Sequence, residues 1–273
     1  MAISERIKAS SAASGLSVLQ DRVGGRLTGA LSFLGFVGIW QLIVVVTRIN
    51  PILLPSPPEV LGQFVEVAEV GLLVPAVLES LRGLAIGLAL ALGVGILAGL
   101  TIGAIAWLNL LTSPYLWAMF ATPRLAMLPL IVLWLGFGVE TKILMVFISA
   151  LLPVTLSCKE GVQTVDESLV TAARSFCARR LDLFRHVVVP FTLPFIANAI
   201  RNGISRGFVG LLIVEMRLGA GGIGTEVMRA MRSFNTARMF AFVAVLIVTA
   251  LTLITLSRKF EMRVSRWREQ VYL

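Results

Sequence analysis

The sequence is short of charged residues, histidine and cysteine, and each shortage argues against a class of protein. Only 14% of its 273 residues are charged, whereas a soluble domain carries about 25%. The single histidine, His186, argues against a histidine-based metal site or catalytic triad. Cys158 and Cys177 form neither a metal-binding spacing nor a disulfide framework, so we expect two reduced thiols. An integral-membrane enzyme would need several His, Asp, Glu or Cys residues at one depth, and no such group is present.

Motifs that bind nucleotide phosphates are missing as well. No G-x-x-x-x-G-K-[ST] occurs, so ATP hydrolysis, if it drives this protein, must come from another polypeptide. Residues 219–224 spell G-x-G-x-x-G, but a dinucleotide site would need an acidic residue about 20 positions on, where Ala244 stands in an apolar run. We interpret these glycines as a flexible turn outside the membrane.

Apolar residues are what the sequence has in excess. They make up 57% of the chain, and the mean hydropathy is +0.91. A membrane-spanning helix needs about 20 apolar residues. The sequence therefore predicts an all-α integral membrane protein with about six transmembrane helices, in a transmembrane region 27–257 between a tail 1–26 and a basic tail 258–273. The segments are 28–47, 83–106, 114–136, 141–158, 190–213 and 239–257.

The distribution of lysine and arginine predicts the orientation. With the N-terminus in the cytoplasm, the cytoplasmic segments carry fourteen of these residues and the outer segments seven. This bias favours cytoplasmic N- and C-termini and places 158–189 in the cytoplasm. The net charge of +9 then indicates contact with anionic lipid headgroups rather than with nucleic acid.

Proline and glycine patterns predict how the helices pack. Glycines at four-residue spacing, as in Gly95/Gly99/Gly103, permit close helix contact, either within one subunit or at a dimer seam. Prolines 114, 123 and 129 interrupt the third span, so we expect this span to line the inside of the bundle. Outside the membrane, we expect an amphipathic helix over 59–74, which with 218–238 forms a docking surface.

The long polar loop carries a predicted short helix, Val165–Ser175. Asp166 and Glu167 favour its N-terminal end, and Leu169, Ala172 and Ala173 share one face. A helix in water must bury an apolar face on something. The spacing leaves open whether this face packs on its own bundle or on a partner.

The fifth span carries a polar face, which predicts either a wall of a translocation path or structurally paired side chains. Glu215, near the end of this span, is a possible partner for the arginines. No Asp or Glu is expected well inside any span, which argues against a secondary transporter driven by an ion gradient, the alternative function. The candidate path residues, including one from the third span, are Arg124, Asn198, Arg201, Asn202, Ser205 and Arg206.

The polar loop resembles a family motif. Thr171-Ala172-Ala173, then Cys177, then nine residues and Val187-Val188-Val189-Pro190 resemble the EAA loop, E-A-A-x3-G-x9-I-x-L-P, of bacterial ABC import permeases. Thr171 replaces the usual Glu and Cys177 the usual Gly. Further segments resemble sulfonate, taurine and nitrate permeases over about 50–260: Leu54-Pro55-Ser56-Pro57, Thr122-Pro123-Arg124 through Pro129, Trp134 through Gly138, Leu193-Pro194 and Gly222-Ile223-Gly224.

The resemblance implies a fold, partners and roles. The fold would be that of a type I ABC importer permease in the bacterial inner membrane, and the protein would not be an enzyme. Two ATPase subunits would bind ATP and magnesium, this chain would bind no cofactor, and a periplasmic or lipid-anchored binding protein would deliver a small anionic solute to two permease copies. The loop 159–189 would contact the ATPase through Leu169, Thr171, Ala172, Ala173, Arg174, Phe176, Cys177, Ala178 and Arg179.

Overall fold

The computed structural model describes residues 28, 29 and 31–264, and every regular element among them is helical. The all-α class predicted from the sequence is confirmed. The predicted tail 1–26 and the end of the basic tail, 265–273, lie outside the described residues. A π-helical turn, Phe184–Val188, joins the helix that ends at Leu183 to the helix that begins at Val189. The helices are α1 (Leu31–Thr47), α2 (Pro57–Glu69), α3 (Leu73–Ala104), α4 (Ala106–Ala121), α5 (Arg124–Leu135), α6 (Val139–Gln163), α7 (Glu167–Ser175), α8 (Arg180–Leu183), α9 (Val189–Leu218), α10 (Ile223–Arg232) and α11 (Thr236–Val264).

Four helical stretches among the described residues are long and apolar enough to cross a membrane. They are α3, α6, the stretch Arg180–Arg232 that contains α9, and Thr236–Lys259 of α11. The pair α4 and α5 makes a fifth if it counts as one crossing, and α1 is an apolar helix of 17 residues. Five of the six predicted segments thus have a spanning counterpart, and the first corresponds to α1. The second begins ten residues earlier than predicted because α3 starts at Leu73.

The third predicted span differs most from the prediction. It is two helices, α4 and α5, bent by 93° at Thr122-Pro123. Residues 107–113, which lie between the second and third predicted segments, are helical within α4. None of the residues of α4 is buried, and α5 buries only Leu128 and Ile131. The prediction that this span lines the inside of the bundle is therefore wrong for the single chain. Its apolar side chains cover one side of the bundle and leave most of their surface exposed.

Glycines hold α3, α6 and α9 in close contact. A Cβ added at Gly95 would lie 2.8 Å from Val154 of α6, and one at Gly103 would lie 2.7 Å from Val162. Because both pairs are separated by the same number of residues, α3 and α6 run parallel. Gly203 of α9 also faces Val154, so α6 is packed between two glycine-bearing helices. The glycine stripes therefore pack within one subunit, the first of the two predicted alternatives.

The parallel direction of α3 and α6 explains why the bent pair α4 and α5 connects them. Two parallel helices need a connection that returns to the starting side, and α4 with α5 supplies this return. Thr141 near the start of α6 donates a hydrogen bond to the carbonyl of Gly136 at 2.7 Å, which fixes the end of the return. The α4–α5 pair is therefore a bent crossing, as the alternating spans of the sequence require.

The predicted amphipathic helix is α2, which begins at Pro57 after a capping box at Ser56. Its buried Val67 packs with Ile223 and Val227 of α10 and Phe242 of α11. The two predicted outer segments therefore meet at one end of the bundle. The other end carries α7, and this arrangement separates the two predicted partner surfaces.

Candidate functional site

The short helix predicted in the polar loop forms as α7. Asp166 is its N-cap, and the backbone N–H of Ser168 donates a hydrogen bond to the Asp166 carboxylate at 2.8 Å. This hydrogen bond lowers the pKa of the Asp166 carboxyl below its ordinary value. The helix begins two residues later than predicted and ends at Ser175, as predicted.

Cys177 closes α7 in a conformation that normally selects glycine. Its φ is +56°, in the left-handed region. Its N–H donates to the carbonyl of Arg174 at 2.9 Å, and the N–H of Ala178 donates to the carbonyl of Ala173 at 3.2 Å. This is the hydrogen-bond pattern of a helix C-terminus. The glycine-like turn that the motif predicts is therefore kept, although a cysteine occupies it.

The apolar face of α7 is left open to solvent. None of the residues of α7 is buried, and the helix packs on α8 and the π-helical turn. Leu169 is 44% exposed and Phe176 is 87% exposed, and Ala172 lies between them on the same face. Leu181 of α8, which sequence reasoning missed, is 75% exposed. In the described chain, this apolar face does not pack back onto the spanning helices.

The other predicted coupling residues surround this face. Ala173 and Ala178 are half-buried at the junction of α7 and α8. The exposed ones are Thr171, Ala172, Arg174, Cys177 and Arg179. We define the coupling patch as the exposed apolar residues Leu169, Ala172, Phe176 and Leu181. Residues 176–179 form a turn between α7 and α8. From α8 the helix continues through the π-helical turn into α9 without a break, so Leu181 of the patch lies on the same helical stretch as a spanning helix.

The polar face predicted on α9 divides into neutralised and unneutralised charges. Arg201 donates to Asn198 Oδ1 at 2.7 Å and forms an ion pair with Glu261 of α11 at 3.6 Å. The hydroxyl of Ser205 donates to the carbonyl of Arg201 at 3.1 Å. Asn202 is half-buried beside them. Arg201 is thus held structurally, and its counter-charge is Glu261 rather than the predicted Glu215.

Arg124 and Arg206 are the unneutralised charges. Arg124 is the first residue of α5, and its guanidinium lies 5.8 Å from the centroid of the Phe120 ring. Its buried Nε has no hydrogen-bond partner within the described part of the chain. Arg206 is exposed on α9. Within the described residues, neither of these two predicted path residues forms an ion pair with a carboxylate.

At the opposite end of the bundle, a buried polar network was missed by sequence reasoning. Lys142 of α6 and Glu215 of α9 are both fully buried and form an ion pair at 3.3 Å. Lys142 also donates to the carbonyl of Gly221 at 2.9 Å, and Glu79 lies 3.4 Å from it. Ser80 of α3 donates to Glu215 at 2.8 Å. We call Lys142, Glu215, Ser80 and Glu79 the buried charge network.

The buried charge network corrects two expectations. Glu215 was expected near the end of the fifth span as a partner for the arginines, and its partner is Lys142 instead. The glycine turn 219–222 is held rather than flexible. Gly221 and Gly222 adopt φ of +78° and +91°, and the N–H of Ile223 donates to Ser80. The sequence did contain a signal for this ion pair: Lys142 stands at the start of the fourth predicted span, and Glu215 stands near the end of the fifth.

Comparison with known proteins gives the family. The family described as "binding-protein-dependent transport system inner membrane component" matches residues 91–266. The taurine transport system permease protein of Escherichia coli (strain K12) is 29% identical over 85% of this chain and 86% of that protein. The riboflavin transport system permease protein of Chloroflexus aurantiacus is 31% identical, covering 84% and 85%.

A solved structure agrees on the fold. The MetNI methionine ABC transporter, in an inward-facing conformation, superimposes with a TM-score of 0.63 at 18% identity, covering 72% of this chain and 98% of that chain. The matched region contains α7, the polar face of α9, and Lys142 and Glu215 of the buried charge network. The chain therefore belongs to the binding-protein-dependent inner membrane component family, and it is the permease subunit of an ABC importer that works with an ATPase and a binding protein.

Proposed function

We propose that two copies of this chain form the path by which a small anionic solute enters a bacterium through its inner membrane. An ATPase subunit docks on the coupling patch of each copy, and both termini lie in the cytoplasm. ATP and magnesium bind to the ATPases, and this chain binds no cofactor. Closure of the ATPases moves the coupling patches together and opens the path outward, so that access alternates between the two sides.

The observation that carries this proposal is the exposed apolar face of α7. Phe176 and Leu181 are among the most exposed large apolar side chains in the described chain, and they belong to a polar loop rather than to a lipid-facing helix. Apolar surface in water is normally buried against a partner. Arg174 and Arg179 border the patch and suit acidic residues on that partner.

The binding protein is proposed to dock at the opposite end of the bundle. There the two outer segments meet, since Asn235 donates to Gln63 at 3.3 Å. Between them lies an open groove of about 550 Å³, lined by Pro51, Ile52 and Phe234 among others. Phe234 is 75% exposed and adopts a left-handed φ of +54°. Such an exposed aromatic side chain suits a protein interface.

A charge placed in the coupling patch tests the proposal. In Ala172→Glu, the new carboxylate lies on the exposed face and disturbs no contact within the chain. We expect ATP-dependent uptake to fall at least about tenfold, because an unpaired charge buried in an interface costs several kcal/mol. Uptake is measured in proteoliposomes that contain the copurified ATPase and binding protein.

Thr171→Glu is the matched control for this test. It places the same side chain on the neighbouring exposed residue, outside the patch, and restores the residue that the family motif carries. We expect normal uptake from this variant. Normal uptake by Ala172→Glu would contradict ATPase docking on the patch, and both variants must reach the membrane in equal amounts.

A further inference from the structure

The π-helical turn lies between the coupling patch and the spanning part of α9. Pro190 stands in the first turn of α9, inside a helical stretch that begins at Arg180. Proline has no N–H, and its ring clashes with the carbonyl four residues earlier in an α-helix, which here belongs to His186. The π-helical turn widens the helix at the point where this clash would occur.

Backbone hydrogen bonds are missing from this turn. The N–H of Val189 donates to the carbonyl of Phe184, five residues back. In an α-helix that N–H would belong to the carbonyl of Arg185, and the next residue, Pro190, has no N–H to offer instead. The Arg185 carbonyl therefore lacks both of its helical donors. A helix that loses bonds across one turn bends more easily there.

The α9 side of the turn is held firmly. Val188 and Thr192 are buried, and the Thr192 hydroxyl donates to the carbonyl of Val188 at 2.7 Å. Gly161 of α6 approaches this part of α9 so closely that an added Cβ would lie 2.7 Å from atoms of Thr192 and Phe195. The start of α9 is thus packed against α6 and must open this contact in order to move.

The α8 side of the turn is held weakly. None of the residues of α7 or α8 is buried. The His186 ring contacts the carbonyl of Asp182, with 3.0 Å between Nδ1 and the oxygen, and both residues are exposed. Water readily replaces an exposed hydrogen bond of this kind. A weakly held coupling patch and a firmly held α9 therefore meet at a turn that lacks backbone bonds.

We propose that the π-helical turn Phe184–Val188 is a hinge on which the coupling patch changes its angle while α9 stays packed on α6. A docked partner that changes orientation then pushes on α9 without twisting it out of its contact at Gly161. The inference deepens the proposed function, on which it rests, by assigning the coupling movement to one turn of helix. Pro190 is a positioning residue, because it excludes the N–H that would close this turn into a regular α-helix.

The first test measures the hinge in the full chain alone, in nanodiscs. Spin labels are attached to the exposed Cys177 and to Glu160→Cys, an exposed position beside Gly161, and the distribution of distances between them is recorded. Cys158 is buried, and the chain without Glu160→Cys checks that it stays unlabelled. We expect the distribution to be about twofold narrower in Pro190→Ala, because the restored N–H adds a hydrogen bond across the turn.

Pro194→Ala is the matched control. Pro194 lies one turn further along α9, inside regular α-helix, so alanine restores an N–H outside the hinge. Its distance distribution should match that of the wild type. Equal widths in the wild type and Pro190→Ala, or equal narrowing in both alanine variants, would refute the hinge. Because no ATPase is present, these outcomes do not depend on docking at the coupling patch, and normal uptake by Ala172→Glu would leave them unchanged.

The second test asks whether the hinge serves transport. Each alanine variant is copurified with the ATPase and the binding protein, and uptake per ATP hydrolysed is measured in proteoliposomes. We expect Pro190→Ala to lower this ratio about threefold or more, with Pro194→Ala close to the wild type. The melting temperature of Pro190→Ala should equal or exceed that of the wild type, because alanine favours helix.

Three results of the second test would contradict the hinge. An unchanged uptake ratio in Pro190→Ala would mean that bending at this turn is not needed for transport. A lower melting temperature would show that the proline is needed for folding instead. Loss of the ATPase from the purified variant would show that Pro190 shapes the docking surface, whereas the hinge leaves the coupling patch itself unaltered.

Discussion

Lys142 and Glu215 are fully buried charges on helices that are far apart in the sequence. An ion pair of this kind contributes little when complete, because desolvation offsets the attraction. Its loss is costly, because removing one member leaves the other as an isolated buried charge. The pair and its neighbours Ser80 and Gly221 join α3, α6, α9 and the glycine turn into one unit. Their role is therefore to fix how the helices meet at this end of the bundle.

This leads to a prediction for Lys142→Met, which removes the charge and keeps a long apolar side chain. We expect it to destabilise the folded permease by about 3–5 kcal/mol, since Glu215 loses its counter-charge. The measurement is thermal unfolding in detergent, followed by size-exclusion chromatography. Glu79→Gln is the control, because the Glu79 side chain is 45% exposed and its loss should cost at most about 1 kcal/mol. Equal stability of Lys142→Met and the wild type would contradict a structural role for the pair.

Asp166 gives a prediction for pH. Its pKa is lowered in the folded loop by the Ser168 N–H, so its contribution to α7 is present above the pKa of the unfolded chain and is lost as pH falls through the lower folded value. We expect the amide protection of α7 to be constant from neutral pH down to the usual aspartate range and to fall only in stronger acid. Hydrogen exchange measures this, and Asp166→Asn, which cannot titrate, should show no such step.

At the scale of helices, the contact of α3 with α6 depends on the absence of side chains. A Cβ at Gly99 would lie 2.6 Å from the Cβ of Cys158, whereas one at Gly93 of the same helix would meet nothing within 4 Å. The two glycines therefore serve as a matched pair, one at the contact and one away from it.

We expect Gly99→Ala to destabilise the protein by about 1–3 kcal/mol, since α3 and α6 must separate to admit the methyl group. Gly93→Ala should be neutral or stabilising by up to about 1 kcal/mol, because alanine favours helix. Thermal unfolding of both variants in the same detergent gives the comparison. Similar destabilisation of the two variants would show that helix contact at Gly99 does not limit stability.

The sequence predicted some elements well and others not, for identifiable reasons. The ends of α7 follow from Asp166 and the turn at Cys177, because caps act over a few neighbouring residues. Three prolines marked the third span, yet Pro114 and Pro129 lie inside helices and the bend is at Pro123. Which proline breaks a helix depends on the packing around it, and that packing is not local in sequence.

The site was predicted unevenly for the same reason. Composition alone identified the polar residues of α9, and all six candidate path residues lie within the described chain. Their division into paired and unpaired charges depends on contacts between distant residues, such as Arg201 with Glu261. The burial of Lys142 likewise requires Gly221 and Glu215, which follow it by many residues. The periodicity of polar residues within one segment does not indicate which residues of distant segments form a pair.

For the whole molecule, the proposed orientation can be tested with the native cysteines. Cys177 is exposed in the α7 loop and Cys158 is fully buried in α6. We expect a membrane-impermeant maleimide to label Cys177 in inside-out vesicles and not in right-side-out cells. Cys177→Ser controls for labelling at Cys158, which should react only after denaturation. Labelling of Cys177 in intact cells would place α7 outside and reverse the orientation.

The exposure of Phe176 and Leu181 also bears on how much of this subunit a cell can tolerate. A copy synthesised without enough ATPase exposes these side chains to water. The same patches on other copies are then available to bury this apolar surface. Surplus permease is therefore prone to self-association, and matched synthesis of the two subunits avoids it. Recombinant production should likewise benefit from co-expression with the cognate ATPase at equal dosage.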